Sequence, residues 1–154
     1  MSETVSVSKE ISAPPERVWS LVSDMPRMGE WSPENTGGTW IKGATGPAAG
    51  AHFRGTNAHQ KKSWTTNIVV ETCKPGREFA FEVTAGGLKV ARWAYQIEKT
   101  EDGSRVTETW TDRRGALARA IGKPVSGTGH DAEQTRAGIA ATLEALARVA
   151  ESGA

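Results

Sequence analysis

HDAEQTRAGIAATLEALARVAE, His130–Glu151, is the stretch on which the fold turns. Ala132, Ile139, Ala140, Leu143, Leu146, Ala147 and Ala150 recur at helical spacing and predict one buried face. Thr128 stands where it can N-cap the helix, and Asp131, three residues on, nearly completes a capping box. Asp131 and Glu133 put negative charge in the first turn, where the helix dipole favours it. Glu144 and Arg148 are spaced for an i,i+4 ion pair on the solvent side. About 22 helical residues span roughly 33 Å, enough to cross a small domain. Apart from one helical patch near the start, the chain before this stretch reads as short strands. One long helix after a run of strands predicts a curved sheet closing around it.

Composition narrows the possibilities. A chain of 154 residues is expected to form one domain, 1–154, with a real hydrophobic core. Nineteen basic and eighteen acidic residues leave a net charge of +1, which argues against a nucleic-acid partner or a polybasic membrane surface. A lone cysteine, Cys73, excludes an intramolecular disulfide framework. No apolar run approaches the roughly 18 residues of a membrane span. The opening MSETVSVSKE is polar and alternating, unlike a secretion signal, so a cytoplasmic location is expected. Six tryptophans against one tyrosine is an unusual ratio, and those indoles must line something.

Along the chain, Val5, Val7 and Ile11 alternate with polar neighbours and predict a strand over 3–12, Lys9 breaking its apolar side near a sheet edge. Val18, Trp19, Leu21 and Val22 predict a helix over 14–23, with Pro14 suited to its first turn. Asp24-Met25-Pro26 stops it, and a short helical turn follows at 26–30. Strands are expected at 36–42, 51–57, 63–73, 78–84, 88–99 and 105–112, divided by turns such as Pro75-Gly76, Ala85-Gly86-Gly87 and Glu101-Asp102-Gly103-Ser104. Short turns imply mostly antiparallel neighbours. Gly43–Gly50 lacks the Gly-Lys-Ser/Thr ending of a phosphate loop and opens no helix, so it reads as a hairpin loop. In the 113–127 linker, Leu117, Ala118 and Ile121 suggest one or two helical turns before Gly122, Pro124 and Gly127.

With the order strand, two short helices, six strands and a long helix in place, the chain resembles a known superfamily. It is similar to the START/Bet v1-like helix-grip proteins (SRPBCC), within the polyketide cyclase/dehydrase-like group. The resemblance is carried by Ser12-Ala13-Pro14-Pro15-Glu16-Arg17-Val18-Trp19, Trp31-Ser32-Pro33, Gly50-Ala51-His52-Phe53-Arg54-Gly55, Pro75-Gly76-Arg77-Glu78-Phe79-Ala80-Phe81 and Gly103-Ser104-Arg105-Val106-Thr107-Glu108-Thr109-Trp110. It implies an α+β helix-grip fold: a seven-stranded curved antiparallel sheet wrapped around the C-terminal helix, with a cavity between them. Such folds host lipid carriers, cyclases, hydrolases and chaperone partners, so architecture alone does not choose a function.

Alternation says which side chains face that cavity. Trp93, Tyr95 and Ile97 share one face; so do Phe79, Phe81 and Val83, then Phe53, Gly55 and Asn57, then Val106, Glu108 and Trp110. Together they predict an aromatic wall opposite Ile139, Leu143 and Leu146. The candidate ligand-binding residues are Trp31, Phe53, Asn57, Phe79, Phe81, Trp93, Tyr95, Trp110, Ile139 and Leu143. Small helix residues opposite large sheet residues fit close packing as well as a void, and both stay open here.

Glu108 is the sharpest polar candidate. Pointing inward between Val106 and Trp110, its carboxyl would be desolvated and suited to general acid–base work, unless Arg92 or Arg136 pairs with it. Asn57 is a neutral counterpart able to orient a carbonyl or hydroxyl. His52 reads as solvent-facing, His59 as a turn residue and His130 as a surface residue at the helix start. No close His, Cys and carboxylate spacing suggests a metal, and neither a Gly-x-Ser-x-Gly elbow nor a dinucleotide fingerprint is present, so no cofactor is expected. Cys73 has no evident base beside it and is not a candidate nucleophile.

Three classes of function follow. The first is binding of a hydrophobic, lipid- or polyketide-like small molecule in the cavity, by a monomer or homodimer. The second is a cyclase/dehydratase-type enzyme with Glu108 as general acid or base. The third is a chaperone-regulator-like protein partner. The shortage of inward polar groups favours the first.

Overall fold

Residues 3–32, 35–114 and 132–152 are described by the computed structural model. Val5 and Ile11 point inward from β1 (Thr4–Ile11), whose other side carries Thr4, Ser6, Ser8 and Glu10. Pro14 takes the N-cap position in an extended conformation and Pro15 opens α1 (Pro15–Val22), so the helix begins one residue later than expected. A 3₁₀ helix follows at Met25–Glu30. Six strands come next: β2 (Asn35–Ile41), β3 (His52–His59), β4 (Lys62–Lys74), β5 (Glu78–Ala85), β6 (Leu88–Thr100) and β7 (Gly103–Asp112). The long helix α2 (Ala132–Ser152) comes after them. His130, Asp131 and the expected cap Thr128 lie outside the described residues, as do the turns expected around Leu117–Ile121.

The strands form one seven-stranded antiparallel sheet in the order β1-β7-β6-β5-β4-β3-β2. Consecutive strands pair except that β1 joins β7, so β1 and β2 lie at opposite edges. This is the helix-grip α+β arrangement. The register slips between Asn35 and Gly37, between Val70 and Thr72, and between Val83 and Thr84. Such bulges bend a strand and increase its twist, which curls the sheet into a trough. At the far edge Gly38 has φ +147, and a Cβ there would run into the Arg54 carbonyl and the Phe53 ring. Glycine thus lets Phe53 lie flat against β2 with Trp40 edge-on at 5.1 Å.

Helix α2 lies in the trough and is tied along the β1 side. Lys9 Nζ reaches Glu144 Oε1 at 2.8 Å, and the Ser12 backbone N–H donates to Glu151 Oε2 at 2.9 Å. Arg17 donates to the Val149 carbonyl at 3.2 Å and Arg136 to the Ser6 carbonyl at 3.3 Å. Two expectations change here. Glu144 ties the helix to Lys9 across 2.8 Å, a bridge between elements in place of the local pair expected with Arg148. Ala140 is exposed, while Thr135 and Thr142 are buried with Ile139, Leu143, Leu146, Ala147 and Ala150. The buried Thr142 hydroxyl is satisfied by the Gly138 carbonyl one turn back, at 2.9 Å.

The two glycines at opposite walls of the trough give a direct test. Gly38→Ala is expected to lower unfolding stability by roughly 1–3 kcal/mol, from backbone strain and collision with the β3 carbonyl. Gly138 lies inside α2 where an added Cβ meets nothing within 4 Å, so Gly138→Ala is expected to raise stability by about 0.5–1 kcal/mol. Urea unfolding midpoints of the two variants check both signs.

Candidate functional site

Between the N-terminal half of α2 and the sheet lies a cavity of about 330 Å³. Beneath it the sheet runs in rows of directly opposed, inward-facing side chains, some lining the cavity and others packed beside it. One row runs Val70, Phe81, Trp93, Trp110 and Val5 across five strands. The next runs Phe79, Tyr95, Glu108 and Val7. On the far wall Asn57 opposes Trp64, and Gly55 opposes Thr66. The roof is Thr135, Gly138, Ile139 and Thr142. Met28, Ser32 and Asn35 close one end, and His59 and Arg114 reach the lining from strand ends.

The volume exists because the helix is small or polar where the sheet is widest. Gly138 presents open space, and Thr135 and Thr142 stand where a leucine would fill the gap. The C-terminal half of α2, with Leu143, Leu146, Ala147 and Ala150, packs closed. Between close packing and a void, the helix alanines side with packing: Ala147 and Ala150 lie in the packed core, and Ala140 faces solvent.

The sequence candidates divide accordingly. Asn57, Phe81, Trp93, Tyr95, Glu108, Trp110 and Ile139 line the cavity. Trp31, Phe53, Phe79 and Leu143 do not; they are buried in the core beside it. Phe53 is held by Trp40 and Gly38, and Phe79 by Trp19 edge-on at 6.5 Å, whose indole N–H donates to the Glu78 carbonyl at 3.0 Å. Leu143 faces the closed half of the trough. Trp31 is buried under the Arg27 guanidinium, 6.0 Å above its ring.

Other lining residues escaped the sequence reading. Trp64, Thr66 and Ile68 alternate in β4 and were legible by the same period-two rule. His59 was expected in a turn, yet it closes β3 with the parity of Asn57 and lines the cavity. Thr135, Gly138 and Thr142 carry no hydrophobic signal, and Arg114 is brought in only by the end of β7. His52 lies in β3 beside Phe53 and is not part of the lining.

Glu108 is the chemical centre of the cavity. It is 3% exposed, and its Oε1 has no hydrogen-bond partner among the described residues. Burial drives its acid dissociation up to about 8, with hydrogen bonding from Tyr95 pulling the other way. The Tyr95 phenol is pushed well above its ordinary range by burial first and by the neighbouring carboxylate second. The two arginines considered as partners for Glu108 are committed elsewhere: Arg92 donates to Glu71 at 2.9 Å and Arg136 to the Ser6 carbonyl. Across the cavity, Thr135 Oγ1 is also buried without a partner among the described residues. Asn57 is partly engaged, its Nδ2 donating to Thr66 Oγ1 at 3.3 Å.

At the strand end, Arg114 grips Asp112 with Nε to Oδ1 and Nη2 to Oδ2, both at 3.0 Å. That fork neutralises two charges next to the cavity. Among the described residues no three His, Cys, Asp or Glu side chains converge as a metal site would require. Cys73, half-buried, has its thiol pushed up by burial, the opposite of an activated nucleophile. No described helix is long and apolar enough to cross a membrane.

Known proteins with this geometry form a coherent set. Residues 2–151 match the family described as polyketide cyclase / dehydrase and lipid transport. The solution structure of the polyketide_cyc-like protein Cgl2372 from Corynebacterium glutamicum is 32% identical, with a TM-score of 0.64 over 98% of this chain and 93% of that one. The di-domain ARO/CYC StfQ of the steffimycin biosynthetic pathway matches at a TM-score of 0.73 and 13% identity, over 99% of this chain but 51% of that one. Major latex-like protein 151 from Panax ginseng matches at 0.72 and 10% identity over 97% of both chains. These last two share the fold alone. No functionally curated protein matches the sequence. A grip of seven strands on a C-terminal helix, with a family match running almost end to end, makes this chain a member of the polyketide cyclase / dehydrase and lipid transport family.

Proposed function

We propose that this protein binds a hydrophobic small molecule in the cavity between sheet and helix, held by Phe81, Trp93, Trp110 and Ile139 and oriented by Glu108. One observation carries the reading: a space of about 330 Å³, walled by aromatic rings, is lined by Glu108, whose buried Oε1 has no partner among the described residues. Ligand pockets are built this way, apolar with a few placed polar groups, and start near 300 Å³. A family whose description spans cyclases, dehydrases and lipid transport supports a guest of low polarity. Asn57 and Tyr95 are the further polar contacts of this site.

A second reading is favoured by the behaviour of Glu108. A carboxyl that exchanges its proton near pH 8 suits acid–base chemistry at neutral pH, and a cyclase or dehydratase step needs such a group. In that reading Glu108 moves the proton and the Tyr95 hydroxyl holds a reacting oxygen. Binding is the more economical reading, because Glu108 and Tyr95 stand without a second charged group of their own.

The cavity itself is tested by filling it. Gly138→Phe is expected to weaken binding of a fluorescent apolar probe, 1-naphthalenemethanol, by about tenfold or more while the circular dichroism stays native. Unchanged affinity would place the probe elsewhere.

The protonation of Glu108 is tested by stability against pH. An unfolded glutamate titrates near 4.5 and the buried one near about 8. Below the lower value both states hold the proton. Between the two, the unfolded chain has lost it and the folded chain keeps it. The unfolded state thus binds fewer protons and stability falls as pH rises, by at most about 1.4 kcal/mol per unit, levelling off above the folded value. Glu108→Gln is expected to remove that slope, leaving the variant more stable than the parent at pH 8 by roughly 2–4 kcal/mol relative to their difference at pH 4. Urea unfolding at the two pH values checks it. Parallel pH profiles would mean that the carboxyl is already ionised in the folded state.

A further inference from the structure

The cavity has polar and charged groups at several points, but they are not equivalent. Arg114 spends its guanidinium on both oxygens of Asp112, and Asp112 is itself buried. The arginine of the lining is therefore already matched by a carboxylate. His59 lies at the exposed end of β3. Opposite Glu108 across the sheet are Val7 on β1 and Tyr95 on β6, and the roof offers Thr135 and Ile139. Among the described residues, none of these elements turns a cation toward Glu108.

The rings around it are the second observation. Trp110 is two residues along the same strand face, and Trp93, directly opposite Trp110, is the diagonal neighbour of Glu108. Same-face neighbours of this kind lie about 7–8 Å apart, within reach of an indole. The electron-rich faces of tryptophan attract a cation, and more strongly when water is excluded. A buried carboxyl oxygen with no partner among the described residues, one row along the sheet from two opposed indoles, has surroundings that favour a cation.

We propose that the guest of this cavity is a lipophilic amine, its ammonium seated on Glu108 Oε1 beside Trp93 and Trp110 and its apolar body filling the space under Gly138. This rests on the binding reading above and names the chemistry of the guest. The balance is simple. The amine arrives as its ammonium form, the Glu108 carboxyl gives its proton to the buffer, and carboxylate and ammonium meet as a charge-assisted hydrogen bond. A proton held only to about pH 8 is one that a bound cation can displace at neutral pH. Thr135 Oγ1, also in the lining and without a partner among the described residues, offers an acceptor for a second N–H.

The test compares three probes of one shape: 1-naphthylmethylamine, 1-naphthalenemethanol and 1-naphthoate. At pH 7 the amine is expected to bind about tenfold or more tightly than the alcohol, and the carboxylate more weakly than either. Calorimetry of the wild-type protein in phosphate and in Tris, whose ionisation enthalpies differ, is expected to show roughly one proton released per amine bound and none for the alcohol. Glu108→Gln is expected to erase the preference for the amine over the alcohol. The proposal is overturned if the alcohol or the carboxylate matches the amine, if no proton is released, or if Glu108→Gln keeps the preference. Should the alcohol bind, and lose affinity on Gly138→Phe, while the amine has no advantage, the charge assignment falls and the cavity reading survives. Should none of the three bind, both fall together.

Discussion

A helix held along one side of a curved sheet is the constraint from which the rest of this structure follows. Lys9, Ser12, Arg17 and Ser6 anchor α2 to the β1 side through four polar ties spread from Arg136 to Glu151. None of these ties is strong alone, since exposed ion pairs and hydrogen bonds contribute about 1 kcal/mol or less. Their effect is positional. They fix the rotation and height of the helix so that Ile139, Leu143 and Leu146 meet the floor of the trough. Beyond that contact the sheet keeps curling, and Gly138, Thr135 and Thr142 do not follow it. The cavity is the difference between the curvature of the sheet and the straightness of the helix.

Burial of Glu108 has to be understood against that geometry. An ionised carboxylate in an apolar interior without a partner is costly by several kcal/mol, and proteins avoid it by protonation or pairing. Here protonation is the solution open to the described chain, because the nearby cations are held by Glu71, Asp112 and the Ser6 carbonyl. A leucine would be cheaper to bury at this position. The cross-strand register instead sets a carboxyl opposite Tyr95, between the Trp93–Trp110 row and the Ile97–Val106 row.

The aromatics, numerous as they are, perform two separate tasks. Trp19, Trp31, Trp40, Phe53 and Phe79 close the base and the β2 edge through edge-on contacts and complete burial or half-burial. Trp64, Phe81, Trp93 and Trp110 are left facing the space. What separates the groups is the helix or strand that covers each ring. The rings under α1, or against Gly38, have a lid; those beneath the N-terminal half of α2 face, among the described residues, Gly138, Ile139 and two threonines.

Much of this was written in local sequence. Apolar runs divided by turn residues placed the seven strands, and period-two alternation turned Glu108, Trp93 and Trp110 to the cavity side, because a strand offers only two sides. The spacing of Ile139, Leu143 and Leu146 identified the helix and its buried stripe, because a helix that covers a sheet must bury one face. Tertiary structure alone decided which inward residues stay uncovered. Phe53 and Asn57 share a strand face, yet Gly38, on the neighbouring strand, buries one while the other stays on the cavity wall. It also decided that Lys9 takes Glu144 from Arg148, that Ala140 yields its place to Thr142, and that Arg92 and Arg136 are held away from Glu108. Alternation specifies a side chain's side of the sheet; only the packing of distant elements sets what stands opposite it, and a void is a property of that opposition.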